Sequence, residues 1–218
     1  QYIGVTIGGP AVELMPEYAA SIPGVAIGTD APGILQRINP WATRTTTGCP
    51  RHCRFCGIGQ GLIEGGGFKE LVVIPNKPLV CDNNFLAASD HHIEKVCNAL
   101  REEWGWADFN QGLDARLMNP WRTKALMSIG RVWFRCAMDD LAVASVEAIS
   151  TALGYLCEAG CPKCLISVYA LIGYADTPGL AWERCKWIDA QGVTCHPMWF
   201  HALDCLAVQD LFLNETAA

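Results

Sequence analysis

Short apolar runs alternate with helical patterns along most of the chain. From residue 41 onward, the apolar runs occur at 71–74 or 78–81, 107–109, 132–136, 164–172 and 193–200. Between them lie segments whose apolar residues recur every three or four positions, which is typical of one face of a helix. Two of these segments begin with the capping pairs Asn119-Pro120 and Thr177-Pro178. With a further strand at 44–47, the alternation predicts about six strand–helix units and a parallel sheet covered by helices.

The predicted units fit two architectures of the α/β class. Six units are too few to close an eight-stranded barrel, so an open partial barrel or a doubly wound sheet remains. Both place their chemistry at the carboxyl ends of the strands. The first forty residues differ, because only two short strands are predicted there, at 3–7 and 25–27. We therefore expect an N-terminal segment over 1–40 and a main domain over 41–218.

Composition narrows the functional classes. Of 218 residues, 51% are hydrophobic and 17% are charged, which favours a compact fold over disorder. The formal net charge of −6 argues against a primary nucleic-acid binder. Neither a membrane-length apolar run nor a secretory signal is visible, so we expect a cytoplasmic protein without a membrane partner. The 12 cysteines are then better explained by metal binding or burial than by disulfides.

Three cysteines follow the first predicted strand of the main domain. Cys49, Cys53 and Cys56 have the spacing Cys-x3-Cys-x2-Cys. Three soft thiolates on one loop suit an iron–sulfur cluster, whereas a zinc site would require a fourth protein ligand. His52 is adjacent to Cys53 and cannot easily face the same ion. Three ligands leave one iron of a cubane open, and an open iron is where chemistry can occur.

This motif, with Phe55 before its last cysteine, resembles the signature of radical S-adenosylmethionine (SAM) enzymes. The similarity spans about 41–203 and includes segments after the later predicted strands, at 82–85, 110–116, 139, 169–174 and 197–198. It points to a largely uncharacterised subgroup that often carries a cobalamin-binding-like domain upstream. The resemblance implies a partial (βα)6 barrel of the radical SAM type, preceded by a short α/β remnant. Gly8-Gly9 and Gly28 resemble the end of that upstream domain, but the chain has no Asp-x-His-x-x-Gly motif, so cobalamin is not expected.

The family resemblance also implies a chemistry. Cys49, Cys53 and Cys56 would hold a [4Fe-4S] cluster whose open iron is chelated by the amino and carboxylate groups of SAM. One electron, from a donor such as flavodoxin or ferredoxin, would cleave SAM to methionine and a 5′-deoxyadenosyl radical. That radical would abstract hydrogen from a substrate that the sequence does not identify. Such an enzyme is oxygen-sensitive, and the protein supplies positioning and exclusion of water.

Further site residues are carried over from the resemblance. The trio at 82–84 replaces the common Gly-Gly-Glu at the position where the family recognises the methionine amino group, and a polar turn is the alternative. Asp114 and Arg116 could equally form a structural ion pair. The predicted cofactor-binding residues are Phe55, Asp82, Asn83, Asn84, Gln111 and Asp114. The catalytic candidates are Arg116, Asp139 and His196.

A second Cys-x3-Cys-x2-Cys occurs at Cys157, Cys161 and Cys164. It could bind an auxiliary cluster. However, Cys157 continues the apolar face of a predicted helix and Cys164 begins an apolar strand. Both positions suit a small buried hydrophobe, so we predict core cysteines there. His91 and His92, which open a predicted helix, are expected to be solvated.

Three alternatives remain beside a radical SAM enzyme of unknown substrate. An enzyme of the same class acting on RNA or in methylthio transfer is disfavoured by the acidic charge. An iron–sulfur electron-transfer protein is poorly served by three ligands and an open iron. A zinc-stabilised binding module would hold one colourless ion and be indifferent to SAM. Polar residues at predicted strand ends, such as Asn83, Gln111 and Asp139, favour an enzyme over the last two.

Overall fold

The chain begins with a small strand–helix–strand unit. The computed structural model describes residues 5–28, 34–65 and 67–201. The elements of the first unit are β1 (Val5–Ile7), α1 (Pro10–Leu14), α2 (Pro16–Ser21), β2 (Val25–Ile27) and α3 (Ile34–Ile38). The two strands pair in parallel, with Val5 opposite Val25. The two predicted short strands are thus confirmed, although Ile3 lies outside the described residues.

The first strand of the main domain is divided into two short pieces. β3 (Ala42–Thr43) belongs to the main sheet, whereas β4 (Thr46–Thr47) pairs antiparallel with β5 (Lys69–Glu70). The apolar run at 71–74 is not a strand, and its Val72 and Val73 are exposed. Of the two positions predicted for the second strand, the structure therefore has the one near 78–81.

Six parallel strands form the main sheet. They are β3 and the later strands β6 (Leu79–Val80), β7 (Trp106–Phe109), β8 (Arg131–Met138), β9 (Ile166–Ile172) and β10 (Thr194–Trp199). Their spatial order is β3, β6, β7, β8, β9, β10, so each strand lies beside the one that precedes it in the sheet. A doubly wound sheet would instead reverse its strand order at a switch point.

Helices connect the successive parallel strands from β6 to β10, whereas the described residues between β3 and β6 contain β4 and β5 and no helix. The connecting helices are α4 (Asp90–Glu103), α5 (Pro120–Met127), α6 (Val143–Glu158) and α7 (Pro178–Ala190). The predicted caps are confirmed, since the side chains of Asn119 and Thr177 accept hydrogen bonds from the backbone N–H groups of Arg122 and Leu180. None of the helices in the described ranges is both long and apolar enough to cross a bilayer.

The two faces of the sheet differ in polarity. Along β8, Val132, Phe134, Cys136 and Met138 alternate with more accessible residues and are fully buried in the core with the helices. The opposite face carries Arg135, whose Nε and Nη2 atoms donate to Asp108 on β7 at 2.7 and 2.6 Å. One face therefore packs as an apolar core, and the other presents paired charges.

Candidate functional site

Most of the predicted site residues meet at one edge of the main sheet. The loop that carries the three cysteines, residues 48–64, leaves β4 at Gly48; we call it the cysteine loop. Asn84 follows β6, Asp114 follows β7 and Asp139 follows β8. Because β6, β7 and β8 are parallel, their carboxyl ends lie side by side. This is the edge at which open α/β sheets bind ligands.

The cysteine loop is tightly folded on itself. Cys49, Cys53 and Cys56 are half-buried thiols, and the Cys56 N–H donates to the Cys53 carbonyl at 3.1 Å. Gly59 lies against the Cys53 backbone, where a Cβ atom would come within 2.7 Å of both the nitrogen and the oxygen. Only glycine fits this approach, so the chain can curl around the central cysteine.

The three thiols do not form a ready-made single-ion site. Within the described ranges, no group of three or more His, Cys, Asp or Glu side chains is arranged to hold one metal ion. Ligands of one zinc ion converge on it at 2.0–2.3 Å. In a cubane, by contrast, each cysteine binds a different iron, so its thiolates are spread around the cluster.

Asp114 joins the cysteine loop to the exits of two strands. Its carboxylate accepts from the Arg116 Nε at 2.6 Å and from the Asn84 Nδ2 at 3.3 Å, and lies 3.5 Å from the Arg51 Nε. The side chain of Asp114 is almost fully buried. The ion pair between Asp114 and Arg116, one of the two interpretations of these residues, is thus present.

Asn84 is the member of the trio at 82–84 that faces the thiols. Its Nδ2 lies 3.6 Å from the Cys49 Sγ as well as donating to Asp114. Its Oδ1 is buried and has no hydrogen-bond partner. A buried acceptor left unpaired costs about 1–3 kcal/mol, so this oxygen is suited to a donor that a bound ligand would bring. The soft donor set and this acceptor therefore fit a cluster with an amino-bearing ligand.

Asp82 and Asn83, the other two members of the trio, form hydrogen bonds with residues other than the three cysteines. Asp82 is buried, and its Oδ1 accepts from the backbone N–H groups of Thr45 and Thr46 at 2.6 and 3.0 Å; the Thr45 hydroxyl donates to its Oδ2. Burial raises the pKa of Asp82, and these hydrogen bonds act against that rise. Asn83 donates to the Glu64 carboxylate at 2.8 Å. The trio thus splits among three environments, and Asp82 supports the turn that leads into β4.

The catalytic candidates do not all converge. Arg116, Asp139 and Asp114 line a cavity of about 20 Å³, which has room for a single water. Burial raises the pKa of Asp139, and Arg116 opposes that rise. His196 lies within β10, opposite Tyr169 on β9, with ring centroids 5.8 Å apart. Gln111 is exposed beside the site.

An aromatic row crosses the same edge of the sheet. The Phe55 ring lies 5.5 Å from the Tyr174 ring, which in turn lies 4.8 Å from the Phe200 ring. Tyr174 follows β9 and Phe200 follows β10. The row thereby connects the cysteine loop to the two strands at the far end of the sheet.

Sequence reasoning missed Glu64, a carboxylate near the cysteines that accepts four hydrogen bonds. Glu64 accepts from the Arg44 Nη1 and Nη2 at 2.6 and 2.9 Å, from the Gly48 N–H at 2.8 Å and from Asn83. It lies in a glycine-rich stretch without periodicity, and its partners are 16 to 20 residues away in sequence. The hydrogen bonds of Glu64 can therefore be recognised only in the folded structure.

The predictions for three residues are wrong. His92 is buried rather than solvated: its Nε2 lies 3.2 Å from the Thr45 hydroxyl and its Nδ1 lies 3.6 Å from Glu70. Cys157 and Cys164 are exposed rather than in the core, because Cys157 lies in the last turn of α6 and Cys164 precedes β9. Only Cys161 of that second motif is buried.

Comparison with known proteins adds no assignment. No protein-family model matches the chain, and none of the curated proteins matches it either.

Proposed function

We propose that the chain is a radical SAM enzyme of unknown substrate. The observation that supports this most directly is the pairing of the three-cysteine loop with Asn84. The Asn84 Nδ2 lies 3.6 Å from the Cys49 Sγ, and the buried Asn84 Oδ1 has no hydrogen-bond donor. An iron–sulfur electron carrier would gain nothing from a buried, unpaired acceptor on a side chain that contacts one of its ligands.

Each residue then has a task toward the proposed cluster and SAM. Cys49, Cys53 and Cys56 would hold a [4Fe-4S] cluster. When it is bound, the cluster supplies the electron that cleaves SAM reductively into methionine and a 5′-deoxyadenosyl radical. The Asn84 Oδ1 would accept a hydrogen bond from the SAM amino group, and Phe55 would pack on the adenine. Asp114 and Arg116 orient this corner through their ion pair.

The proposal extends to the fold and the setting. The unreversed strand order supports a partial (βα)6 barrel, with the N-terminal strand–helix–strand unit as the remnant of a further α/β domain. The substrate would approach the carboxyl edge of the sheet, where the aromatic row of Phe55, Tyr174 and Phe200 excludes water. We infer a cytoplasmic, oxygen-sensitive enzyme that receives one electron from a flavodoxin or ferredoxin.

Anaerobic reconstitution with iron and sulfide, followed by SAM and dithionite, tests the proposal. Mass spectrometry should detect 5′-deoxyadenosine from the wild-type protein and none from Cys53→Ala. Cys157→Ala is the matched control, because its thiol is exposed and belongs to the other motif; it should retain both iron and activity. A fully assembled cluster that neither binds nor cleaves SAM would overturn the proposal in favour of electron transfer. One tightly held colourless ion would favour a zinc-stabilised binding module.

A further inference from the structure

Glu64 connects both ends of the segment that carries the three cysteines. The Gly48 N–H, immediately before Cys49, donates to the Glu64 Oε2 at 2.8 Å. Glu64 itself comes after Cys56 in the chain, so this hydrogen bond closes residues 48–64 into a ring.

The same carboxylate holds two other segments against the cysteine loop. Arg44, which lies between β3 and β4, donates to both Glu64 oxygens in a fork-like pair at 2.6 and 2.9 Å. Asn83, which follows β6, donates to the Oε2 at 2.8 Å. Glu64 thus receives four hydrogen bonds from three positions outside its own turn.

The surroundings of the Glu64 carboxylate favour its ionised form. Only 15% of the Glu64 side chain is exposed. Burial alone would raise its pKa, but the hydrogen bonds from Arg44, Gly48 and Asn83 outweigh burial, and the pKa of Glu64 is lowered. Charge-assisted bonds of this kind are about twice as strong as neutral ones. A glutamine at this position would present an N–H group to Arg44 in place of one acceptor.

The placement of Asn83 connects this network to the ligand side of the site. Asn83 is bound to Glu64, and its neighbour Asn84 lies at the Cys49 thiol. Cys49 is in turn adjacent to Gly48, the other partner of Glu64. Glu64 therefore fixes the two backbone positions that flank the contact between Asn84 and Cys49.

We propose that Glu64 is a positioning residue that closes the cysteine loop and sets Cys49 against Asn84 before any cluster is present. The inference deepens the proposed function and rests on it only in identifying the ligand as a [4Fe-4S] cluster with SAM. The hydrogen bonds that close the loop come from the chain's own residues and need no cluster. Glu64 touches neither cluster nor substrate in this proposal, and it acts through Gly48 and Asn83.

The first test uses the reduced, metal-free protein. Hydrogen exchange of the amides in the cysteine loop should be faster by about tenfold or more in Glu64→Gln, since a hydrogen bond to a charged group is lost. Alkylation of Cys49, Cys53 and Cys56, followed by peptide mass spectrometry, should accelerate in parallel. Amides of α4 and β8 should exchange as in the wild type. The matched control is Asp90→Asn, which removes an exposed ion pair with Arg122 elsewhere on the surface.

The second test distinguishes positioning from a general loss of structure. SAM affinity is measured by equilibrium binding and expressed per assembled cluster in the reconstituted protein. Glu64→Gln should weaken the SAM affinity several-fold, because Asn84 is no longer held against Cys49. A purely structural role would lower the number of clusters and leave the affinity per cluster unchanged. Arg44→Lys, which keeps the charge but loses the fork, should show the same effects to a smaller extent.

The outcomes separate the two proposals. If the cysteine loop of Glu64→Gln exchanges and alkylates like the wild type, the closure by Glu64 is refuted, whatever the protein catalyses. If the loop loosens but wild-type protein does not cleave SAM, the closure stands and the radical SAM proposal is refuted. Should Glu64→Gln fail to fold, Arg44→Lys carries the exchange and alkylation measurements on its own.

Discussion

Gly59→Ala adds one methyl group at the tightest backbone contact of the cysteine loop. The new Cβ would lie 2.7 Å from the Cys53 nitrogen and oxygen, whereas ordinary contact begins at 3.4 Å. The Cys53 peptide must therefore retreat by 0.7 Å (3.4 − 2.7), because the opposing atoms are backbone and cannot rotate away. Overpacking of this kind costs about 1–3 kcal/mol, and we expect about 1 kcal/mol in a surface loop.

The measurements are urea unfolding of the metal-free protein and iron content after anaerobic reconstitution. Gly59→Ala should lose stability and bind clearly less iron than the wild type, since Cys53 is displaced. Gly65→Ala is the matched control in the same stretch: its Cβ would meet no atom within 4 Å, so it should behave like the wild type. Equal stability and iron content in Gly59→Ala and wild type would refute the close approach of Gly59 to Cys53.

Three further predictions follow from other contacts. Iodoacetamide should label the exposed Cys157 of the folded protein much faster than the buried Cys136; equal rates would contradict the exposure of the α6 end. Arg184→Met removes a buried guanidinium from its ion pair with Asp176, whose side chain is 10% exposed, and should cost about 3 kcal/mol in urea unfolding; a loss under 1 kcal/mol would show that the pair contributes little. Because the pKa of Glu64 is lowered when folded, its stabilisation is complete above its unfolded value of 4.5 and disappears as pH falls through the folded value. The stability difference between wild type and Glu64→Gln should therefore shrink below pH 4.5, and a constant difference would contradict an ionised Glu64.

The sequence predicted the parts of the fold that depend on periodicity. The strands β7 to β10 and the helices α4 to α7 occur where apolar spacing and capping residues place them. The edge at which the candidate site residues lie also follows, since parallel strands bring their carboxyl ends together. These features are local, or they result from topology alone.

What could not be predicted depends on distant partners. Asp82 and Asn84 lie two residues apart in sequence but have opposite environments: the Asp82 carboxylate accepts three hydrogen bonds, whereas the buried Asn84 Oδ1 accepts none. His92 can be buried because the hydroxyl of Thr45, 47 residues away, lies 3.2 Å from its Nε2. Cys157 continues an apolar stripe, yet the core ends before the last turn of α6. Periodicity indicates which face a residue occupies, but not how far the neighbouring elements extend.

The strand order has a consequence for biosynthesis. Each strand of the main sheet pairs with the strand that precedes it in that sheet, so a nascent chain can extend the sheet at one edge as it leaves the ribosome. The cysteine loop, which includes Glu64, and Asn84 both precede β7 and are translated well before β9 and β10. The corner formed by the cysteine loop and Asn84 can therefore complete its hydrogen bonds while the far edge of the sheet, with Tyr174 and Phe200, is still being made.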